Sequence, residues 1–433
     1  MLFSKLNRRY ALDHGWLKAL AIASALQLIL LGSDVQACGV FASEKFTQDD
    51  AILVSDKTGG IVFQWQADKL FIPASLNKLV TAYIALDKWG EKYRFATDFY
   101  VVGDQLWVKG YGDPFLISEE IEIMARNLQQ KLPSKLASIH VDASYFALEP
   151  VPGRTAVSDP YNAPLSAVAA NFNTVKLQRT NGVLHSGEPQ TPLTATAIEI
   201  AAMPGNALGG KANRLNLVTV DRAQKHFAEI LLAKLSGIAS QPSIEVDSIK
   251  INQSLPSNAQ LVYRHLNSHS LAQVLRGTLE FSNNFIANQL YLLFAENEGG
   301  NVMTFAGAGD YLSAKTEANL AWGEGAKIYE GAGLSRKNSL SATQLNQVLQ
   351  ELVESRTLLK KYSLKNKVAS IGDNIIAYAK SGTLDGVHNL AGYLEVAERR
   401  YQFVFMFNRS MPYGYREKLL QKLANQLSQQ PRG

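Results

Sequence analysis

The 433-residue chain is 46% hydrophobic and 19% charged, enough apolar content to fill two or three ordinary cores, which excludes a disordered polymer. Its net charge of +5 is mild and dispersed, which argues against nucleic acid as a partner. One cysteine, Cys38, excludes any internal disulfide.

The chain opens with a basic segment, MLFSKLNRRY, followed by the uncharged run ALAIASALQLILLGS. That run is short for a membrane span, which needs about 20 residues, but it suits a secretory signal over residues 1–37. Small residues then lead to Cys38 in Val35-Gln36-Ala37-Cys38, which resembles a lipobox. Two readings stand side by side. Ordinary cleavage would fall after Ala37 or Ala42, whereas a lipoprotein signal would make Cys38 a membrane anchor; Asp34 and Gln36 are unusual for the second. Either way the mature chain is exported.

From residue 50, AILVSDKTGGIVFQWQ predicts a hairpin around a Gly-containing turn. PASLNKLVTAYIALDKWG then places Leu76, Leu79, Val80, Ile84 and Leu86 at near-helical spacing, with Ser75 close to the N-terminus and Lys78 one turn on. Residues 97–255 change character. Short strand-like pieces (TDFYVVG, DQLWVKG, ASIHVDA, TVKLQRT, RLNLVTV) alternate with turns and are interrupted by the helical SEEIEIMARNLQQKL, which predicts an α+β insert of one or two accessory domains. Helical spacing returns in SLAQVLRGTLEFSNNFIANQLYLLFA, and three strands with a closing helix end the chain. One catalytic domain built from residues 38–96 and 256–433 is the expected organisation.

Metal and cofactor signals are poor, and neither is expected. His265 and His269 in HLNSH lack the glutamate that a zinc-peptidase pattern places after the first histidine. No dinucleotide fingerprint or phosphate loop appears, and the lone cysteine at a signal boundary is no nucleophile. A serine enzyme without a histidine base remains. Such an enzyme needs an attacking hydroxyl, an acceptor for its proton, donors for the oxyanion and a proton source for the leaving amine. Ser75 and Lys78 supply the first two on one helix face, and Ser75 is the only serine in the chain followed three residues later by lysine. Ser282-Asn283-Asn284 and Lys380-Ser381-Gly382-Thr383 follow in order. Each motif alone suits a cap or a surface residue; the three in order do not.

In this order the three motifs resemble those of penicillin-binding proteins and serine β-lactamases. With the flanks GYGDPFL, DASYF, YNAPLSAVAANFNTV, GAGLSR and AKSGTLDGVHNLAGYL, the chain resembles the class C low-molecular-mass penicillin-binding proteins, the DacB-type D-alanyl-D-alanine carboxypeptidase/endopeptidase family. The similarity runs from about residue 45 to 410, and the 207 positions between Ser75 and Ser282 match the long insert of that family. The resemblance implies an α/β transpeptidase-like domain, an antiparallel sheet covered by helices, carrying an α+β insert. It implies a periplasmic enzyme acting on peptidoglycan peptides and inhibited by β-lactam antibiotics, in a family that includes homodimers.

Residue by residue, the resemblance makes Ser75 the acylated nucleophile and Lys78 its base. Ser282 would relay a proton to the leaving D-alanine, and Asn284 would hold the acyl-side amide. Lys380 would keep the pocket positive, while Ser381 and Thr383 bind the terminal carboxylate. The glycine at 382 would let the substrate backbone approach, and the N–H groups of Ser75 and Thr383 would form the oxyanion hole. Three departures stand out: Asn283 replaces the usual aspartate, Ser381 replaces threonine, and Glu330 replaces an aspartate before Gly-x-Gly-Leu-Ser. Lys57-Thr58-Gly59 imitates the third motif, but it precedes the nucleophile and is expected to serve a hairpin turn. Asp113 and Asp142 are expected to hold turns. The rival readings are a β-lactamase, disfavoured because no E-x-x-L-N stretch lies between 285 and 379, and a wall-binding scaffold with a vestigial site.

Overall fold

The computed structural model describes residues 41–147, 149–154, 158–237, 244–295, 302–364, 375–396 and 398–429. The signal segment and Cys38 lie outside these residues. No helix among the described residues is long and apolar enough to cross a membrane.

In chain order, β1 (Asp50–Asp56) and β2 (Ile61–Trp65) form the first hairpin, and α1 (Asn77–Trp89) follows a single 3-10 turn at Ala74–Leu76. Next come β3 (Ala96–Val102), β4 (Gln105–Gly110), α2 (Ser118–Gln129), β5 (Lys135–Asp142), β6 (Thr174–Thr180), β7 (Val183–Ser186), α3 (Ala195–Ala201), β8 (Asn213–Asn216), α4 (Val220–Ser236), β9 (Glu245–Lys250) and β10 (Gln260–Leu266). The remainder holds α5 (Leu271–Phe281), α6 (Asn284–Leu293), α7 (Phe305–Leu320), α8 (Ala342–Glu351), β11 (Lys360–Leu364), β12 (Ile375–Leu384), β13 (Val387–Val396), β14 (Arg399–Phe407) and α9 (Tyr415–Ser428).

The two ends of the chain share one antiparallel sheet, ordered β11-β12-β13-β14-β1-β2. Its central strands are covered on both faces, so their sequences read as continuous apolar runs rather than simple alternation. Side-chain direction still alternates. Leu53, Ala391, Val404 and Met406 face the core shared with α1 and α8, whereas Ile52, Val54, Phe403 and Phe405 face Leu419, Leu420 and Leu423 of α9.

A second sheet, β10-β3-β4-β5-β9, is antiparallel from β10 to β4 and parallel from β4 to β9. The parallel pairs follow from helical crossovers, α2 between β4 and β5, and α4 before β9. The chain enters this sheet on β3 and leaves on the adjacent β10, so the sheet draws in Gln260–Leu266 beyond residue 255. Its buried side chains, including Phe99, Val108 and Ile139, belong to the same apolar cluster as Leu79 of α1 and Leu275 of α5. The third sheet, β7-β6-β8, has its own small core around Val175, Ile200 and Leu217.

Within the apolar run from 271 to 295, α5 stops at Phe281, Ser282 takes left-handed dihedrals (φ 57°, ψ 40°), and Asn283 opens α6 by accepting the Ile286 N–H at 3.1 Å. The middle residue of Ser-Asn-Asn is therefore a helix cap, a role that Asn and Asp fill about equally. Asn283→Asp is expected to leave stability within about 0.5 kcal/mol, and Asn283→Ala to cost about 1 kcal/mol, in urea unfolding.

Candidate active site

Ser75 lies in the 3-10 turn that feeds α1, and this turn is held from three directions. Ala74 adopts a left-handed conformation (φ 47°). On one side the backbone of Gly333 (φ 84°) comes so close that a Cβ would stand 1.9 Å from the Ala74 carbonyl oxygen. On the other, a Cβ on Gly382 would stand 2.7 Å from the Pro73 carbonyl and 3.2 Å from the Ser75 nitrogen. Only glycine permits either approach. Below the turn, the Asn389 amide donates to the carbonyls of Ile72 (2.9 Å) and Pro73 (3.0 Å) and accepts the Phe407 N–H (3.0 Å). Asn389 pairs with Gly382 across β12 and β13, so one register position ties the nucleophile turn to the sheet.

Lys78, one helical turn after Ser75, is 1% exposed. Its Nζ lies 2.7 Å from Asn284 Oδ1, 2.7 Å from the Ala332 carbonyl and 2.9 Å from Ser75 Oγ. The first two are acceptors only. In the neutral amine, which has two N–H donors and one lone pair, they take both donors and leave the lone pair for the serine hydroxyl. Burial, and then the charge of Lys380, push this amine well below the ordinary lysine range, with Glu330 opposing. The free base is thus favoured where a proton acceptor is needed.

Lys380, also 1% exposed, donates to Ser282 Oγ at 2.9 Å and to the Ser381 carbonyl at 2.8 Å. The left-handed turn at Ser282 aims that hydroxyl at β12. Burial, followed by Arg416 and Lys360, pushes Lys380 down to about 7. Ser381 is half-buried and Thr383 exposed on the same strand. The eight residues singled out in the sequence therefore converge: Ser75, Lys78, Ser282 and Asn284 on two helices and a turn, and Lys380, Ser381, Gly382 and Thr383 on β12.

Several contributors lie outside the three motifs. Glu330 is wholly buried; its carboxylate accepts from the N–H groups of Ala332 (2.8 Å) and Ser335 (3.2 Å) and from the Asn338 amide (2.8 Å), while its carbonyl accepts from Asn77 (2.6 Å). That carboxylate shapes the loop presenting the Ala332 carbonyl to Lys78. Tyr161, from the insert, offers its carbonyl to Asn284 Nδ2 at 3.3 Å. Arg416, on α9, donates to Thr383 Oγ1 at 2.9 Å. A cleft of about 680 Å³ adjoins these groups, lined by Asp159, Tyr161 and Asn162 from the insert and by Tyr329, Arg336 and Leu384 from the other wall.

The other motifs lie elsewhere. Lys57-Thr58-Gly59 forms the turn between β1 and β2, with Thr58 and Gly60 donating to Asp56, at the far edge of the sheet from β12. His265 Nε2 and His269 Nδ1 meet Glu120 at 3.0 and 3.2 Å. Asp113 accepts the Phe115 N–H (2.9 Å) and Asp142 the Ser144 N–H (3.0 Å), which makes both turn residues.

Comparison with known proteins gives the family and the fold. The sequence model of the D-Ala-D-Ala carboxypeptidase 3 (S13) family matches residues 42–216 and 205–426. A D-alanyl-D-alanine carboxypeptidase of Actinomadura sp. (strain R39) is 23% identical over 452 residues, covering 90% of this chain and 83% of that protein. Penicillin-binding protein 4 (dacB) of Haemophilus influenzae superposes with a TM-score of 0.66 at 19% identity, covering 88% of this chain and 96% of that one. A predatory peptidoglycan endopeptidase of Bdellovibrio bacteriovorus gives 0.51 at 18% identity, covering 89% and 93%.

The position of Lys380 has a measurable cost. Its protonation is easier in the unfolded chain than in the buried site, so between about pH 7 and 10 the unfolded chain binds more protons and stability rises with pH. In thermal unfolding, wild type is expected to gain Tm relative to Lys380→Met across that window; a difference that stays flat would show that Lys380 is not held low.

Proposed function

Because the chain belongs to the D-Ala-D-Ala carboxypeptidase 3 (S13) family, we propose that it is an exported serine peptidase of peptidoglycan, removing the terminal D-alanine from stem peptides through an acyl-enzyme. The observation that carries this reading is the contact set of Lys78, a buried amine with two acceptors and one hydroxyl. It supplies a base at a site whose three motifs contain no histidine.

In the proposed reaction Ser75 Oγ attacks the carbonyl carbon of the penultimate D-alanine, and its proton passes to Lys78. The N–H groups of Ser75 and Thr383 receive the developing oxyanion, a contribution of about 3 kcal/mol per donor. When the tetrahedral adduct collapses, the C–N bond breaks and the departing amine takes a proton through Ser282, which Lys380 orients from 2.9 Å. Water then attacks the ester, with Lys78 as the nearby base, and Ser75 is freed. Asn284 holds the acyl-side amide, and Lys380, Ser381 and Thr383 hold the terminal carboxylate.

The same chemistry serves a cross-link, because a D-alanyl bond to the amine of a neighbouring stem presents the same carbonyl and a different leaving amine. The cleft lined by Asp159, Arg336 and Leu384, the residue after Thr383, offers polar groups of both signs to a stem peptide. A β-lactam would enter as an analogue of the D-Ala-D-Ala bond and acylate Ser75; the Haemophilus influenzae relative has been solved with a β-lactam.

Purified wild type is expected to shorten pentapeptide muropeptides or split 4,3-cross-linked dimers, read by mass spectrometry, and Ser75→Ala to do neither and to lose labelling by fluorescent penicillin. Labelling that persists in Ser75→Ala would overturn the nucleophile. Lys57→Ala should keep turnover within about twofold of wild type, as for surface changes away from a site, whereas Lys380→Ala should remove it.

A further inference from the structure

Arg416 has no place in any of the three motifs, yet its guanidinium stands against the wall that carries the third. It is the second residue of α9, whose leucines pack on the outer face of the first sheet. A cation in the first turn of a helix opposes the helix dipole, and this one also adds to the positive field around Lys380. Fastening α9 to the sheet does not require a charge, since Leu419, Leu420 and Leu423 already do so.

Its hydrogen bonds indicate a different task. Nη1 donates to Thr383 Oγ1 at 2.9 Å, to the Asn389 carbonyl at 3.1 Å and to the Gly382 carbonyl at 3.3 Å, while Nε donates to Glu417 at 2.9 Å. Three of these acceptors belong to the carboxylate wall and to the residue paired with it. A threonine hydroxyl has one hydrogen and two lone pairs. With an Arg416 N–H on one lone pair, the hydrogen of Thr383 is turned away from the guanidinium, and the exposed side chain leaves it free to donate to a bound group. The hydroxyl is thereby biased toward donating.

We propose that Arg416 is a positioning residue for substrate selection: acting through Thr383, it makes the wall a donor surface with a permanent positive charge behind it, selective for a free carboxylate beside the leaving group. This rests on the peptidase reading above. A guanidinium suits the task because it stays charged at every physiological pH, whereas Lys380, held down to about 7, loses its charge as the pH rises past neutrality.

The test uses two substrates that differ only in that carboxylate, an N-acyl-D-alanyl thioester of thioglycolic acid and the methyl ester of the same compound. The quantity read is the ratio of kcat/KM for acid over ester. Wild type is expected to favour the acid. Arg416→Gln should lower the ratio by about tenfold to a hundredfold, the range of one charge-assisted hydrogen bond, mainly through KM for the acid and with the ester little changed. Arg416→Lys, which keeps the charge but loses the planar fork, should fall between, and it carries the test should Arg416→Gln not fold. In a Thr383→Val background the effect of Arg416→Gln should shrink, as expected for residues acting in series. An unchanged ratio in both Arg416 variants, or an equal fall on both substrates, overturns the proposal and leaves Arg416 a tether of α9. Wild type that hydrolyses neither thioester overturns the peptidase reading itself, and this inference with it.

Discussion

A lysine amine buried at the centre of the protein is the constraint around which the rest is arranged. Lys78 can be a base only if it is dry, faces like charge and has its donors occupied, and each condition draws on a distant part of the chain. Dryness comes from the cluster that joins α1 to α5 and to the second sheet. Like charge comes from Lys380 on β12. The acceptors come from Asn284 at the start of α6 and from Ala332 in the loop shaped by Glu330. A buried polar group of this kind is costly unless fully partnered, and here each described contact of Nζ lies within 2.9 Å.

The same constraint explains where backbone strain is concentrated. Ala74 and Ser282 both take left-handed dihedrals that cost side-chain-bearing residues roughly 1–3 kcal/mol, and both sit where a hydroxyl has to be aimed. Gly333 and Gly382 both press on the backbone of the Ser75 turn, so the turn cannot relax without moving a strand or a loop. The placement of the Ser75 hydroxyl is therefore built into packed backbone, not into mobile side chains.

The segment between the first two motifs is packed into the rest of the chain. The five-stranded sheet shares the apolar core of α1 and α5, and the segment contributes Tyr161 to Asn284 and one wall of the cleft. Gly153 approaches the Ser335 backbone so closely that a Cβ would stand 2.5 Å from its Cα, which seats the insert against the loop carrying Arg336. Substrate reach beyond the scissile bond is in this way coupled to the packing of a segment that contains none of the three motifs.

Local pattern alone was enough for much of this. The hairpin at 50–65, the helix carrying Lys78, the strands of the insert and the closing three-stranded run were legible because apolar period and turn residues act over a few neighbours. The three motifs were legible because their chemistry demands particular side chains at short spacing. Asn389 and Arg416 were not, since an asparagine that braces a turn some 300 residues away and an arginine on the last helix have no spacing to betray them; Glu330 showed only as a departure from the family pattern, not as the carboxylate that shapes a loop. The break at Ser282 was legible in part, since Ser282 and Asn284 suit a helix start, but the left-handed turn that aims the hydroxyl carried no local signal. Neighbours along the chain set which elements form and which side chains can do chemistry. Which amine is pushed down, which hydroxyl is aimed and which charges meet depend on the packed fold, because burial and electrostatic neighbours are properties of contacts between distant segments.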